Sequence, residues 1–206
     1  MRLLSILAVC VTAVAAAPSS DLSPRIVGGT AFPIQQWPQI ANVLFTWDMA
    51  TFGQYCGGTI ISKRFILTAA HCINFHPANR FRVRVGSVLA SSGGVAHAVD
   101  GVIPHPFYNP QTEDLDIGLI RTINNLTFTA QVQAARFAGS DYTLGDNELV
   151  QAPGWGAERT GGPRSEQLHV VQIWTINQSK EVNFRSVGSF IFQHMSYMDL
   201  GFVKIP

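Results

Sequence analysis

From residue 39 onward the chain is a succession of short apolar runs separated by turn residues, and no sustained 3.6-residue period appears. Eight runs have strand length: 39–47, 55–62, 64–71, 81–87, 96–103, 116–122, 148–156 and 168–176. In the fourth, Phe81, Val83 and Val85 alternate with Arg82 and Arg84, as a half-buried strand requires. Glycine and proline break the runs at the intervals of an antiparallel barrel or sandwich. The pattern therefore predicts an all-β domain. No internal repeat is visible.

The first residues read differently. Arg2 precedes an apolar stretch from Leu3 to Ala13, too short to span a bilayer, and Val14-Ala15-Ala16 ends in small residues. We expect residues 1–16 to be a signal peptide cut after Ala16, and the chain to be secreted. No later stretch is apolar enough to span a membrane. Residues 17–25, "APSSDLSPR", have the composition of a short propeptide. Of three cysteines, Cys10 would leave with the signal, so Cys56 and Cys72 meet an oxidising compartment as a pair. A disulfide closing that loop would stabilise the fold by about 3 kcal/mol in the chain-entropy account. The net charge is +1 with no basic cluster, which gives no basis for nucleic-acid binding. Residues 86–99 contain no acidic ligand for a calcium ion. Asn125-Leu-Thr127 and Asn177-Gln-Ser179 are glycosylation sequons.

Four short motifs bear on chemistry. Arg25-Ile26-Val-Gly-Gly is a basic residue before an apolar pair and two glycines, and a cut after Arg25 would create an amino terminus at Ile26. Cys56-Gly-Gly precedes "TIISKRFILTAAHC", so a Cys56–Cys72 bridge would hold His71 at the end of a strand. A general base needs such a fixed position, although a lone histidine is more often structural. Asp116 opens the apolar segment "DIGLI"; it could orient a histidine through Nδ1–H or simply cap a strand. Glu113 and Asp114 are the competing acids. Gly154-Trp-Gly156 is a tight turn without chemistry of its own.

The order of these motifs, R-IVGG, C-GG, TAAHC, DIGLI, GWG, resembles that of trypsin-like serine endopeptidases of the chymotrypsin fold. "VQAPGWGAERTGGPRSEQLHVVQIWTINQ" looks especially like insect digestive trypsins. The resemblance implies two antiparallel β-barrels with the active site between them, the first complete and the second largely missing from this chain. It implies His71 as general base, Asp116 as its orienting carboxylate, Cys56–Cys72 as the disulfide of the histidine loop, and Arg25–Ile26 as the zymogen activation bond. Protein or peptide substrates and protease inhibitors would be the partners; no cofactor and no metal ion are called for. His76, His97, His105, His169 and His194 match no catalytic position.

The sequence also departs from the family. The nucleophile belongs in a Gly-Asp-Ser-Gly-Gly-Pro motif, and none of Ser165, Ser179, Ser186, Ser189 or Ser196 has that setting. The resemblance is expected to end near Lys180, with residues 26–180 a partial peptidase domain and 181–206 an unrelated tail of intronic origin. The specificity pocket, the oxyanion hole and the acceptor for the Ile26 amine would go with the nucleophile. The expected outcome is a secreted, trypsin-like serine endopeptidase by family whose chain is inactive. The rival outcomes are a non-catalytic homologue that acts as a binding module and a truncated product without function.

Overall fold

A computed structural model describes residues 33–139, 141–142, 145–157 and 162–175. The expected signal peptide, propeptide, Arg25–Ile26 bond and tail, with Asn177, His194 and Ser179, Ser186, Ser189 and Ser196, lie outside the described residues.

All eight expected strands are present: β1 (Ile40–Phe45), β2 (Gly53–Ile60), β3 (Phe65–Thr68), β4 (Phe81–Val85), β5 (Val95–Pro104), β6 (Gly118–Thr122), β7 (Leu149–Gly154) and β8 (His169–Trp174). The first six close a barrel in the order β1-β2-β3-β6-β5-β4, with every pair antiparallel and β4 returning to β1. Closure leaves no strand edge with unpaired backbone groups, the hazard of open sheets. The alternation in β4 points Phe81, Val83 and Val85 inward, where they meet Val43, Phe45, Ile60, Ile66, Val99 and Ile120. Each such side chain contributes about 1.5–3 kcal/mol on burial. Gly58 in β2 is required by close packing: a Cβ there would stand 2.7 Å from Ile66 Cγ2 and 3.0 Å from the Leu67 carbonyl oxygen.

One expectation needs correction. The run 64–71 is not strand throughout. β3 stops at Thr68, and Ala70–Ile73 form a one-turn helix, α1. His71 therefore sits inside a helical turn and not at a strand end. The turn has no side-chain cap of its own. The Asp116 carboxylate, 45 residues away in sequence, accepts the His71 backbone N–H at 2.7 Å and does the work of a cap.

β1 is buried along its whole length, which a strand facing solvent on one side could not be. Its inner face holds Ala41, Val43 and Phe45 in the barrel. Ile40, on the other face, lies under a second cluster with Ile34, Trp37, Ala90, Trp155 and Leu168. That cluster docks the two-stranded β7–β8 sheet. Trp155 Nε1–H donates to the Val88 carbonyl at 2.9 Å, Leu168 N–H to the same carbonyl at 2.8 Å, and Ala90 N–H to the Glu166 carbonyl at 2.9 Å. Trp155 of the "GWG" turn is thus the anchor of the second unit and more than a turn residue. Among the described residues β7 and β8 pair only with each other, so each has one open edge.

Cys56 in β2 and Cys72 in α1 are joined, with Cα atoms 6.3 Å apart. Alkylation followed by mass spectrometry should find both thiols blocked before reduction and released after it. Replacing both by alanine should lower stability by about 3 kcal/mol, for a loop of sequence separation 16.

Candidate active site

His71 and Asp116 meet as expected. His71 Nδ1 lies 2.7 Å from Asp116 Oδ2, while Oδ1 receives the His71 backbone N–H at 2.7 Å. Two bonds to one carboxylate fix both the ring and the turn that carries it. An acceptor at Nδ1 holds the proton there and makes Nε2 the basic nitrogen. The Asp116 side chain is 11% exposed and that of His71 29%, so the pair is shielded at the carboxylate and open at the imidazole. Burial works to raise the Asp116 pKa, but the hydrogen bonds from the His71 ring and backbone and the His71 charge outweigh it. The carboxyl is held below its usual range.

Local backbone explains how Asp116 is presented. Leu115 adopts a left-handed φ of 58°. The Ile117 N–H then bonds back to the Leu115 carbonyl at 2.7 Å, which closes a three-residue turn with Asp116 at its centre. Asp116 thus precedes β6 and is not its first residue. Glu113 and Asp114 belong to the preceding loop, where Asp114 pairs with Asn109 and accepts from the Thr112 hydroxyl at 2.8 Å. Among the three acids, Asp116 is the one bonded to His71.

Gly118 is a positioning residue that the sequence reading did not single out. A Cβ there would stand 2.7 Å from Ile73 Cδ1 and 3.1 Å from the Ile103 carbonyl oxygen. Its absence lets α1 close onto β6. A glycine inside an apolar strand pattern marks such close approaches and was the available signal. Gly118→Ala should cost about 1–3 kcal/mol by overpacking. It should also weaken the His71–Asp116 bond, read as an upfield move of the Nδ1 proton resonance.

The depressed Asp116 carboxyl has a pH consequence. Between its folded pKa and the unfolded value near 3.9, the unfolded chain binds more protons, so stability rises with pH across that window. The contribution is complete above that value and is lost as pH falls through the folded pKa. Acid titration of the folded fraction should show the loss, and Asp116→Asn should remove that part of the slope.

The remaining histidines stand apart from the pair. His76 packs at a tilt against Phe45 and edge-on against Trp47, with centroids 4.6 and 5.6 Å away. His97 lies in β5 opposite Val83, and burial lowers its pKa. His105 Nδ1 accepts the Phe107 N–H at 3.2 Å. His169 begins β8. The Ser165 N–H donates to the Trp155 carbonyl at 3.1 Å, and its hydroxyl oxygen accepts the Gln167 N–H at 3.1 Å. Asn125 is exposed, as an acceptor for glycosylation must be. Among the described residues, one group has metal-ligand proximity: Cys56, His71 and Cys72, with ligand atoms within 4.8 Å. Its two sulfurs are bonded to each other, so in this state it offers no thiolate. No helix among the described residues is long and apolar enough to cross a membrane.

The comparisons agree with this geometry. Residues 26–197 match the family described as Trypsin. Alkaline trypsin C of Manduca sexta is 47% identical over 206 residues, covering 98% of this chain and 80% of that protein. Trypsin CFT-1 of Choristoneura fumiferana is 42% identical, covering 96% and 78%. The fold is similar to a crystal structure of the scabies mite inactivated protease paralogue S-D1, with a TM-score of 0.67 at 19% identity, over 84% of this chain and 73% of that one. A closed barrel, a histidine clamped by a turn aspartate beside a disulfide, and a match across most of the sequence converge on one conclusion: the chain belongs to the trypsin family of serine proteases.

Proposed function

We propose that this chain is a secreted, trypsin-like serine-type endopeptidase by descent, in which His71 is the general base and Asp116 its orienting carboxylate. The pair of hydrogen bonds from His71, one from its ring and one from its backbone N–H, to the Asp116 carboxylate is the observation that carries this reading. In that arrangement Asp116 holds the tautomer with the proton on Nδ1 and stabilises the imidazolium formed when Nε2 takes the proton of an attacking hydroxyl. Peptide bonds of protein or peptide substrates are the target. We further propose that the 206-residue chain does not itself hydrolyse them, because it contains no Gly-Asp-Ser-Gly-Gly-Pro motif to provide the nucleophile and its oxyanion donors.

Expression in a secretory host tests the route. The protein recovered from the medium should begin at Ala17, and mild trypsin treatment should move the amino terminus to Ile26. Thermal melts before and after the cut should nearly coincide, because the new amine has no family acceptor in these 206 residues. A clear rise in Tm on cleavage would show that such an acceptor exists. Peptidase assays of the cleaved chain then test the catalytic part. Turnover abolished by His71→Ala would overturn the proposal that the chain is inactive.

A further inference from the structure

The atom of His71 that faces away from Asp116 has a neighbour that hydrolysis does not use. Nε2 lies 3.3 Å from Cys72 Sγ. Behind it, Nδ1 is bonded to Asp116 Oδ2 at 2.7 Å. Sulfur, imidazole and carboxylate therefore form a continuous line, with the sulfur held in the Cys56–Cys72 disulfide. The two half-cystines are equally inaccessible, Cys56 being 5% and Cys72 3% exposed, so access does not distinguish them. The imidazole does, since His71 Nε2 lies 3.3 Å from Cys72 Sγ.

We propose that the Cys56–Cys72 bridge is a redox-gated thiol site, in which reduction releases Cys72 as a thiolate paired with the His71 imidazolium and oriented by Asp116. This inference does not depend on the endopeptidase reading. The step balances with a small thiol such as glutathione. Its thiolate attacks Cys56 Sγ, the S–S bond breaks, and Cys72 Sγ leaves with the bonding pair. The proton lost by the attacking thiol is held on His71 Nε2, against the departing sulfur. A second glutathione attacks the mixed disulfide and frees the Cys56 thiol, so two glutathiones are oxidised to their disulfide and two cysteines are reduced. Exchange is faster when the leaving thiol is the more acidic, which directs attack to Cys56. A thiolate beside an imidazolium is the arrangement of reactive cysteines. Other charged groups near α1 are engaged elsewhere. Asp100 pairs with both Arg64 and Arg121 on the barrel wall, and His97 lies opposite Val83. Burial first, and then the Asp116 and Glu113 charges, raise the Tyr108 hydroxyl above its usual range.

Brief exposure of the native protein to glutathione, an acid quench and peptide mass spectrometry would locate the first mixed disulfide. Glutathione should appear on Cys56 in at least about tenfold excess over Cys72, and His71→Ala should erase the preference. Equal labelling, or the same preference without His71, would overturn the proposal. A second measurement uses Cys56→Ala, which frees Cys72 permanently. Its thiolate absorbance should titrate at least about one pH unit below that of the same protein with His71→Ala added. A smaller difference in the folded variant would overturn the proposal. Should Cys56→Ala fail to fold, the glutathione experiment decides alone, because it reads the first chemical step on the native chain.

Discussion

A chimera of residues 1–180 continued by a family second half that carries the Gly-Asp-Ser-Gly-Gly-Pro motif should cleave peptides once Arg25 is cut, whereas the 206-residue chain should show none of that turnover. Loss of a nucleophile or base from a serine protease costs on the order of 10⁶ in turnover. What survives in such variants comes from the oxyanion hole and substrate binding. The gain on joining the halves should therefore be of that order. Its dependence on residues 1–180 is the real test. His71→Ala in the chimera should return it to near baseline, and Asp116→Asn should lower turnover by about 10⁴, the cost of the wrong tautomer. A serine-directed phosphonate should label the chimera and leave the 206-residue chain unlabelled. A folded but inactive chimera would mean that the His71–Asp116 pair is defective in itself. Labelling of any serine from 165 to 196 in the shorter chain would refute its inactivity.

Trp155→Ala should be the most damaging single substitution for stability. The indole is 1% exposed, fills the cluster between β1 and the β7–β8 sheet, and donates to the Val88 carbonyl at 2.9 Å. Truncating a buried aromatic costs about 3–5 kcal/mol, while the Val88 carbonyl keeps its bond from the Leu168 N–H. Thermal melting should fall by roughly 10 °C for a chain of this size. The loss should also be local. Amide exchange in Leu149–Gly154 and His169–Trp174 should accelerate while the closed barrel keeps its protection, since the barrel's ladder is complete without the docked sheet. Unchanged exchange in β7 and β8 would mean that the sheet is held by something other than Trp155.

The strands were legible because a barrel wall imposes its period on sequence. The alternation of Phe81, Val83 and Val85 with Arg82 and Arg84 appears directly in β4 as an inner and an outer face. β1 carried no such clean signal, because the docked β7–β8 sheet buries its second face, and no local pattern reports a partner more than 100 residues away. The end of the run 64–71 reads as strand for the same reason. Its turn of helix is held by the Asp116 carboxylate and by the bond to Cys56, both distant in sequence.

The candidate site divides along the same line. Residue types and motif order were sufficient by themselves to select His71, Asp116, Cys56 and Cys72, since chemistry requires a base, an orienting acid and a fixed loop. Neighbouring acids with the same charge could not be separated by composition. Asp116 stands out in the sequence by the apolar residues that follow it, and in the structure by a backbone turn at Leu115–Ile117 that aims its carboxylate at α1. The need for glycine at 118, and the 3.3 Å approach of Nε2 to Cys72 Sγ, likewise belong to the tertiary structure. The first depends on how closely α1 settles on β6; the second depends on the Asp116 bond that orients the His71 ring and on the Cys56 bridge that holds Cys72, both made by segments far apart in the chain.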